Sequence, residues 1–171
     1  MRIPEARIED GVPVTAGWFV VNAHDTQWHH GPMRSFARFG GQGEAHFDDL
    51  GIGLYRLAPG QAMALYHHEA GQEDFLVLRG HCRLLIEGED RLLGPWDFVH
   101  CPPRTGHTIV ASGDEPALVL AVGARVEKGS ARYPAEPLAL EHGVAVPEGE
   151  TPDAAYARWG DEAPGPAPGE L

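Results

Sequence analysis

The sequence predicts an all-β domain, and three observations carry that prediction. Glycine and proline are abundant, 22 and 15 of 171 residues, which suits many short strands joined by tight turns. Long amphipathic runs are missing. Between Gly60 and Gly123, short apolar segments bounded by Gly, Pro or Asp recur at a spacing typical of a sandwich or small barrel. With 43% apolar residues, a chain of this length can bury one core.

Residues 1–16 are polar and contain proline, reading as an N-terminal arm that becomes a strand at 17–21, Gly-Trp-Phe-Val-Val. Up to Gly60, turns such as FGGQGEA (39–45) alternate with short apolar segments such as GIGLYRLA (51–58). Strands are then predicted over 74–79, 81–86, 91–93, 96–101, 107–111 and 117–122, with Gly88 supplying the permissive backbone of a hairpin turn. The barrel accordingly spans 17–126. After Val126 the chain turns polar and proline-rich. EPLALEHG (136–143) suits a short helix closed by Gly143. In the next helix Thr151 is the N-cap, Pro152 fits the first turn, Asp153 favours the dipole and Gly160 ends it. Both helices are expected outside the barrel, within a C-terminal segment 127–160. Residues 161–171 have too little apolar content to offset their ordering entropy and are expected to be mobile.

Charge and motif content exclude several classes of function. The 25 acidic and 13 basic residues give a net charge of −12, which repels phosphate backbones and anionic membranes, so neither nucleic acid nor a membrane is an expected partner. Lys128 is the only lysine, leaving Schiff-base chemistry almost nowhere to occur. The N-terminus lacks an apolar signal region and no window approaches the roughly 20 apolar residues of a membrane span, so a soluble, cytoplasmic protein is expected. In that reducing setting Cys82 and Cys101, inside apolar runs, read as buried thiols. The usual parts of serine hydrolases, P-loop enzymes and dithiol redox proteins are absent from the sequence.

Five of the ten histidines, His67, His68, His81, His100 and His107, fall between Gly60 and His107. In an extended strand His67, Glu69 and Glu73 share one face. Gly71 allows a bulge that would reset the alternation and bring His68 beside Glu73 in place of His67, so both registers stay open. In WDFVHCPPRTGHTIV (96–110) two prolines end a strand, Arg-Thr-Gly makes a corner, and His107 opens the next strand at its mouth. Convergence of His67, Glu73 and His107 would give two histidines and one carboxylate with open positions, suited to Fe(II) and compatible with Mn, Ni or Zn. Glu69 or His68 would add a fourth donor. Tyr66, Phe75, Trp96, Phe98 and His100 are expected to line the pocket, with Tyr66 and His100 as candidate catalytic groups.

These two segments resemble the paired motifs of the cupin superfamily. In the first, G-x5-H-x-H-x(3 or 4)-E-x6-G, Gly60, Glu73 and Gly80 fall into place. Four residues before the acid put the family's histidine positions at Tyr66 and His68; three put them at His67 and Glu69. The second motif, P-x-G-x-x-H, lands on Pro102 and His107, with Arg104 at its glycine, Trp96 where a glycine usually precedes Asp97, and Ala111 in place of an asparagine. The sequence is most similar to an uncharacterised group of single-domain bacterial cupins, which favours the register of His67 and Glu69. The resemblance implies a double-stranded β-helix, or jelly-roll barrel. It implies one divalent metal ion (Zn, Fe, Mn or Ni) on His67, Glu69, Glu73 and His107, a small-molecule ligand, and a homodimer for which 17–21 is the candidate contact. Dioxygenase-like or isomerase- and epimerase-like action on a small oxygenated molecule follows; the alternative is a non-catalytic small-molecule or sugar-binding module with a structural metal.

Overall fold

A computed structural model describes residues 2–127 and 129–171, so Lys128 lies outside the described residues. The chain begins with a miniature hairpin, β1 (Ile8–Glu9) and β2 (Val12–Pro13), turned by Asp10 and Gly11 at φ 48° and 76°, the left-handed pair that a tight Asp-Gly turn favours. Next come β3 (Trp28–His30), β4 (Ser35–Arg38) and β5 (Leu50–Leu57). They are followed by β6 (Glu73–Arg79), β7 (His81–Ile86), β8 (Glu89–Leu93), β9 (Phe98–Cys101), β10 (His107–Ser112) and β11 (Ala117–Ala124). Two short helices, α1 (Pro137–Glu141) and α2 (Pro152–Ala157), and a last strand, β12 (Ala163–Gly165), complete the chain.

The strands form a seven-stranded sheet, β12-β3-β4-β5-β11-β6-β9, facing a three-stranded sheet, β10-β7-β8. The stretch between β5 and β6 runs beside β10, bridging Ala62 to Val110 and His67 to His107. This is the double-stranded β-helix architecture. Its core draws Leu57, Phe75, Val77, Val99 and Val119 from the larger sheet and Cys82, Leu84, Ile109 and Ala111 from the smaller. Burying such side chains contributes about 1.5–3 kcal/mol each. The helices pack outside, where Ala139, Val144 and Ala155 meet Leu65, Tyr66 and Leu85. Thr151 Oγ1 accepts the Ala154 amide at 3.3 Å, and the Glu136 carboxylate accepts that of Ala139 at 2.6 Å.

Two expectations need correction, and the C-terminal tail contains a strand. Residues 17–21 form no strand: Trp18 makes a single bridge to Glu5, and Val20 is 81% exposed, because no neighbouring strand offers this segment a ladder. Within the tail at 161–171, Ala163–Gly165 form β12, which pairs with β3 along an otherwise open sheet edge. Main-chain bonding does there what side-chain composition could not, helped by Arg79 with Glu170 at 3.2 Å and by Leu171 packing on the Trp28 cluster. The strand expected over 96–101 begins only at Phe98. Its pairing of Phe75 with Val99 and Glu73 with Cys101 puts Val99 and Cys101 inside and turns Phe98 and His100 outward. Trp96 and Phe98, 73% and 65% exposed, therefore line no pocket.

Trp96 and Arg104 stand where the resembling motifs carry glycine, and both keep left-handed backbone, φ 73° and 71°. An L side chain costs roughly 1–2 kcal/mol in that conformation. Since the Trp96 ring is mostly in solvent, we expect Trp96→Gly to be more stable than Trp96→Ala by about 1 kcal/mol in urea unfolding, the reverse of the order at an ordinary strand position. Equal midpoints would remove the strain argument.

Candidate metal centre

The site forms where the stretch before β6 meets the start of β10. The main chains of His67 and His107 exchange hydrogen bonds, at 3.1 Å and 2.9 Å, so their side chains stand side by side on one face, with ring centroids 5.3 Å apart. Each ring is then oriented by its own backbone: His67 Nδ1 donates to the Leu65 carbonyl at 2.8 Å, and His107 Nδ1 to the Thr105 carbonyl at 2.9 Å. A carbonyl can only accept, so the proton sits on Nδ1 and each Nε2 presents a lone pair. Both lone pairs face Glu73 Oε2, at 3.9 Å from His67 and 3.5 Å from His107. One donor atom from each of the three residues lies within 4.8 Å of the others, so this group could hold a metal ion. Glu69 Oε1 is 4.0 Å from His67 Nε2 at the half-exposed rim.

Electrostatics fit a cation. Burial, reinforced by His107, pushes the His67 imidazole down to about 4, and burial lowers His107 as well, so both rings are neutral donors near neutral pH. Burial, then the neighbouring Glu69 charge, pushes the Glu73 carboxyl up to about 7. A dication beside it would supply the compensation that the protein withholds.

Other predicted residues lie elsewhere. His68 points away and bridges through its backbone to Arg132, its Nδ1 buried without a hydrogen-bond partner among the described residues. Tyr66 is buried in the outer core, its hydroxyl so close to Gly106 that a Cβ there would lie 2.5 Å away. It alternates with His67 and so faces the opposite side of the strand. His100 is on the outer face, its Nδ1 2.6 Å from Asp74 Oδ1. Neither Tyr66 nor His100 is among the residues that line the cavity.

Residues 53–123 match the family described as the cupin domain. Over these residues the chain is similar to cupin domains. Among solved structures it resembles a sugar phosphate isomerase from a cupin superfamily of Silicibacter pomeroyi, with 32% identity over 55% of this chain and 60% of that one, TM-score 0.48. The match thus spans about three fifths of that protein's length. It also resembles a cupin 2 domain-containing protein from Halorhodospira halophila, with 20% identity over 63% of this chain and 81% of that one, TM-score 0.53. A third is the polyketide cyclase RemF from Streptomyces resistomycificus, with 16% identity over 63% and 77%, TM-score 0.52. The last two show the fold. No curated protein matches the sequence.

The cupin cavity has a volume of about 410 Å³. Besides the metal-type donors and Phe75, it is lined by Arg34, Arg38, Tyr55, Tyr133 and Tyr156, none of which the sequence reading placed there. Arg34 and Arg38 alternate with the buried Phe36, a period-2 hint, but only the partner strand decides which face is inside. Tyr133 stacks on His67 at 5.7 Å and meets Tyr156 edge-on. Both arrive from the C-terminal segment by long-range packing that leaves no local signal.

Glu73 holds its proton more tightly folded than unfolded, from the ordinary 4.5 to about 7. The Glu73 contribution to the stability of the metal-free protein should therefore fall as pH rises through that window and be fully unfavourable above pH 7, while the depressed His67 contributes in the opposite sense. We expect Glu73→Gln to stabilise the metal-free chain at pH 8 by on the order of 2 kcal/mol, with the gain fading toward pH 4.5, as read by chemical denaturation at both pH values. A destabilised Glu73→Gln at pH 8 would contradict this account.

Proposed function

We propose that the protein is a metal-dependent cupin in which one divalent cation, held by His67, Glu73 and His107 with Glu69 as a fourth donor, binds a small oxygenated organic molecule. The observation that supports it most is that the converging donors face an open cavity of about 410 Å³, which gives a substrate access to the cation. Two imidazoles and one carboxylate suit Fe(II) and are compatible with Mn, Ni or Zn. Such a cation supplies charge that polarises and orients a substrate oxygen, chemistry that serves dioxygenase-like and isomerase- or epimerase-like reactions. His67 and His107 present neutral Nε2 donors, Glu73 brings the anion, and Phe75, Ile109 and Tyr133 add apolar and aromatic lining. The two free, buried thiols support a cytoplasmic setting. Among the described residues no helix is long and apolar enough to cross a membrane.

Exposed Trp18 and Val20 support a homodimer formed through the N-terminal segment. Light scattering should give twice the chain mass for the native protein and the single mass for Val20→Asp, a change at an exposed position that leaves folding intact. A native monomer would end this reading.

Metal binding should displace one proton, from Glu73, while the imidazoles stay neutral. Apparent affinity is then expected to fall about tenfold per pH unit below pH 7, measured by competition with a chelator indicator. Glu73→Gln should lower affinity at pH 8 by roughly tenfold or more. Undiminished metal content in that variant, purified without an affinity tag, would remove the assignment.

A further inference from the structure

We propose that the molecule taken by this site is an organic anion: its carboxylate or phosphate end is held by Arg38, while oxygens at its other end reach the cation beside Glu73. This rests on the metal reading above and specifies its ligand class. The sheet register carries the argument. Across β4, β5, β11 and β6, Arg38 stands opposite Gly53, Gly53 opposite Ala121, and Ala121 opposite Phe75. One row nearer the mouth, Gly51 faces Gly123 and Gly123 faces Glu73. Directly opposed residues share a face, so between Arg38 and the Phe75 and Glu73 end, three strand spacings or roughly 14 Å apart, no side chain is larger than a methyl group. The next row inward, Phe36, Tyr55, Val119 and Val77, is filled instead. The result is a floor of Gly and Ala, bordered by the Tyr55 ring beside Gly53 and by the Arg125 guanidinium beside Gly51, with the Arg38 guanidinium at one end and the metal-type donors at the other.

Charge gives the floor its selectivity. Arg34, Arg38 and Arg125 line two adjoining chambers, the second of about 210 Å³. Arg34 is committed to Glu162 at 2.8 Å and to the Met63 carbonyl. Among the described residues neither Arg38 nor Arg125 has a carboxylate within ion-pairing distance; Arg125 donates to His46 Nε2, and Arg38 lies over the Phe36 ring at 5.0 Å. A bound dication would offset Glu69 and Glu73, leaving two uncompensated guanidinium charges facing one cleft. In a protein of net charge −12, with acids in ample supply as partners, such a cleft is a local attractor for an anion. A planar guanidinium suits carboxylate and phosphate alike.

The test uses the full chain loaded with Mn(II), its metal content measured first, and two matched probe pairs in calorimetric titrations. The pairs are α-ketoglutarate with its distal mono-amide, and dihydroxyacetone phosphate with dihydroxyacetone. The member of at least one pair that carries the distal charge should bind about tenfold tighter than the partner lacking it, and which pair responds tells carboxylate from phosphate. Arg38→Met should bring that ratio near unity while leaving metal content unchanged, and Arg38→Lys should restore part of it. No discrimination in either pair, no binding of any probe, or a ratio that survives Arg38→Met overturns the proposal. A chain that takes up no metal sinks the metal reading instead; the Arg38-dependent charge preference is then read with the same pairs on the metal-free protein.

Discussion

The two hydrogen bonds between the backbones of His67 and His107 are the constraint on which the site depends. They zip the stretch after β5 onto the start of β10, and so join two sequence segments some forty residues apart into one antiparallel step. From that step the rest follows by geometry. Opposed residues in a hydrogen-bonded pair project to the same side, and each ring is aimed by the carbonyl two residues before it. Two lone pairs then converge on the carboxylate that opens β6. Without the bridge, the imidazoles would be two unrelated histidines near turns.

That convergence has a thermodynamic cost which the fold carries openly. The filled rows of the barrel, with Val77 and Val119 fully buried and Phe36 nearly so, contribute the apolar burial that holds the sheets together. The rows toward the mouth reverse the pattern: a carboxylate is brought into a partly desolvated place and the neighbouring positions are Gly or Ala. A carboxylate held near a pKa of 7 works against folding above that pH. His67 works in the opposite sense, since its depressed value favours the folded state as pH rises from about 4 toward 6.5. Between them the metal-free site has a nearly flat pH response in mild acid, and the net penalty appears where Glu73 must be ionised and has no cation.

Most of the barrel was legible because its strands are short, apolar and punctuated. All six strands expected between 74 and 122 are present, although β9 starts at Phe98 and not at Trp96. Strand alternation alone left the choice between His67 and His68 open, since it turned on whether Gly71 resets the alternation; the resemblance favoured His67. Gly71 instead serves close approach, since a Cβ there would lie 2.5 Å from the Ala124 carbonyl oxygen. The outward turn of Phe98 and His100 was hidden because a strand's alternation says which residues go together and not which set goes in. The tail strand and Arg38 were missed for a shared reason, as each owes its role to a partner strand distant in sequence, β3 for the tail and β5 for Arg38.

The replaced glycines show what the resembling motif specifies. At Trp96 and Arg104 the side chain has changed and the left-handed backbone has not, so the motif encodes a conformation, and glycine is only the least costly residue to adopt it. At Arg104 the use of that conformation is visible. Its amide donates to the Glu69 carbonyl at 2.7 Å, fastening the turn that precedes His107 to the residue that follows His68. The strained corner thus joins the two motifs a second time, beyond the His67 and His107 step, and fixes the rim carboxylate relative to the second imidazole. That hydrogen bond is made by the main chain and would form with glycine as well, so it accounts for the left-handed corner, while the arginine side chain at this position has no structural explanation.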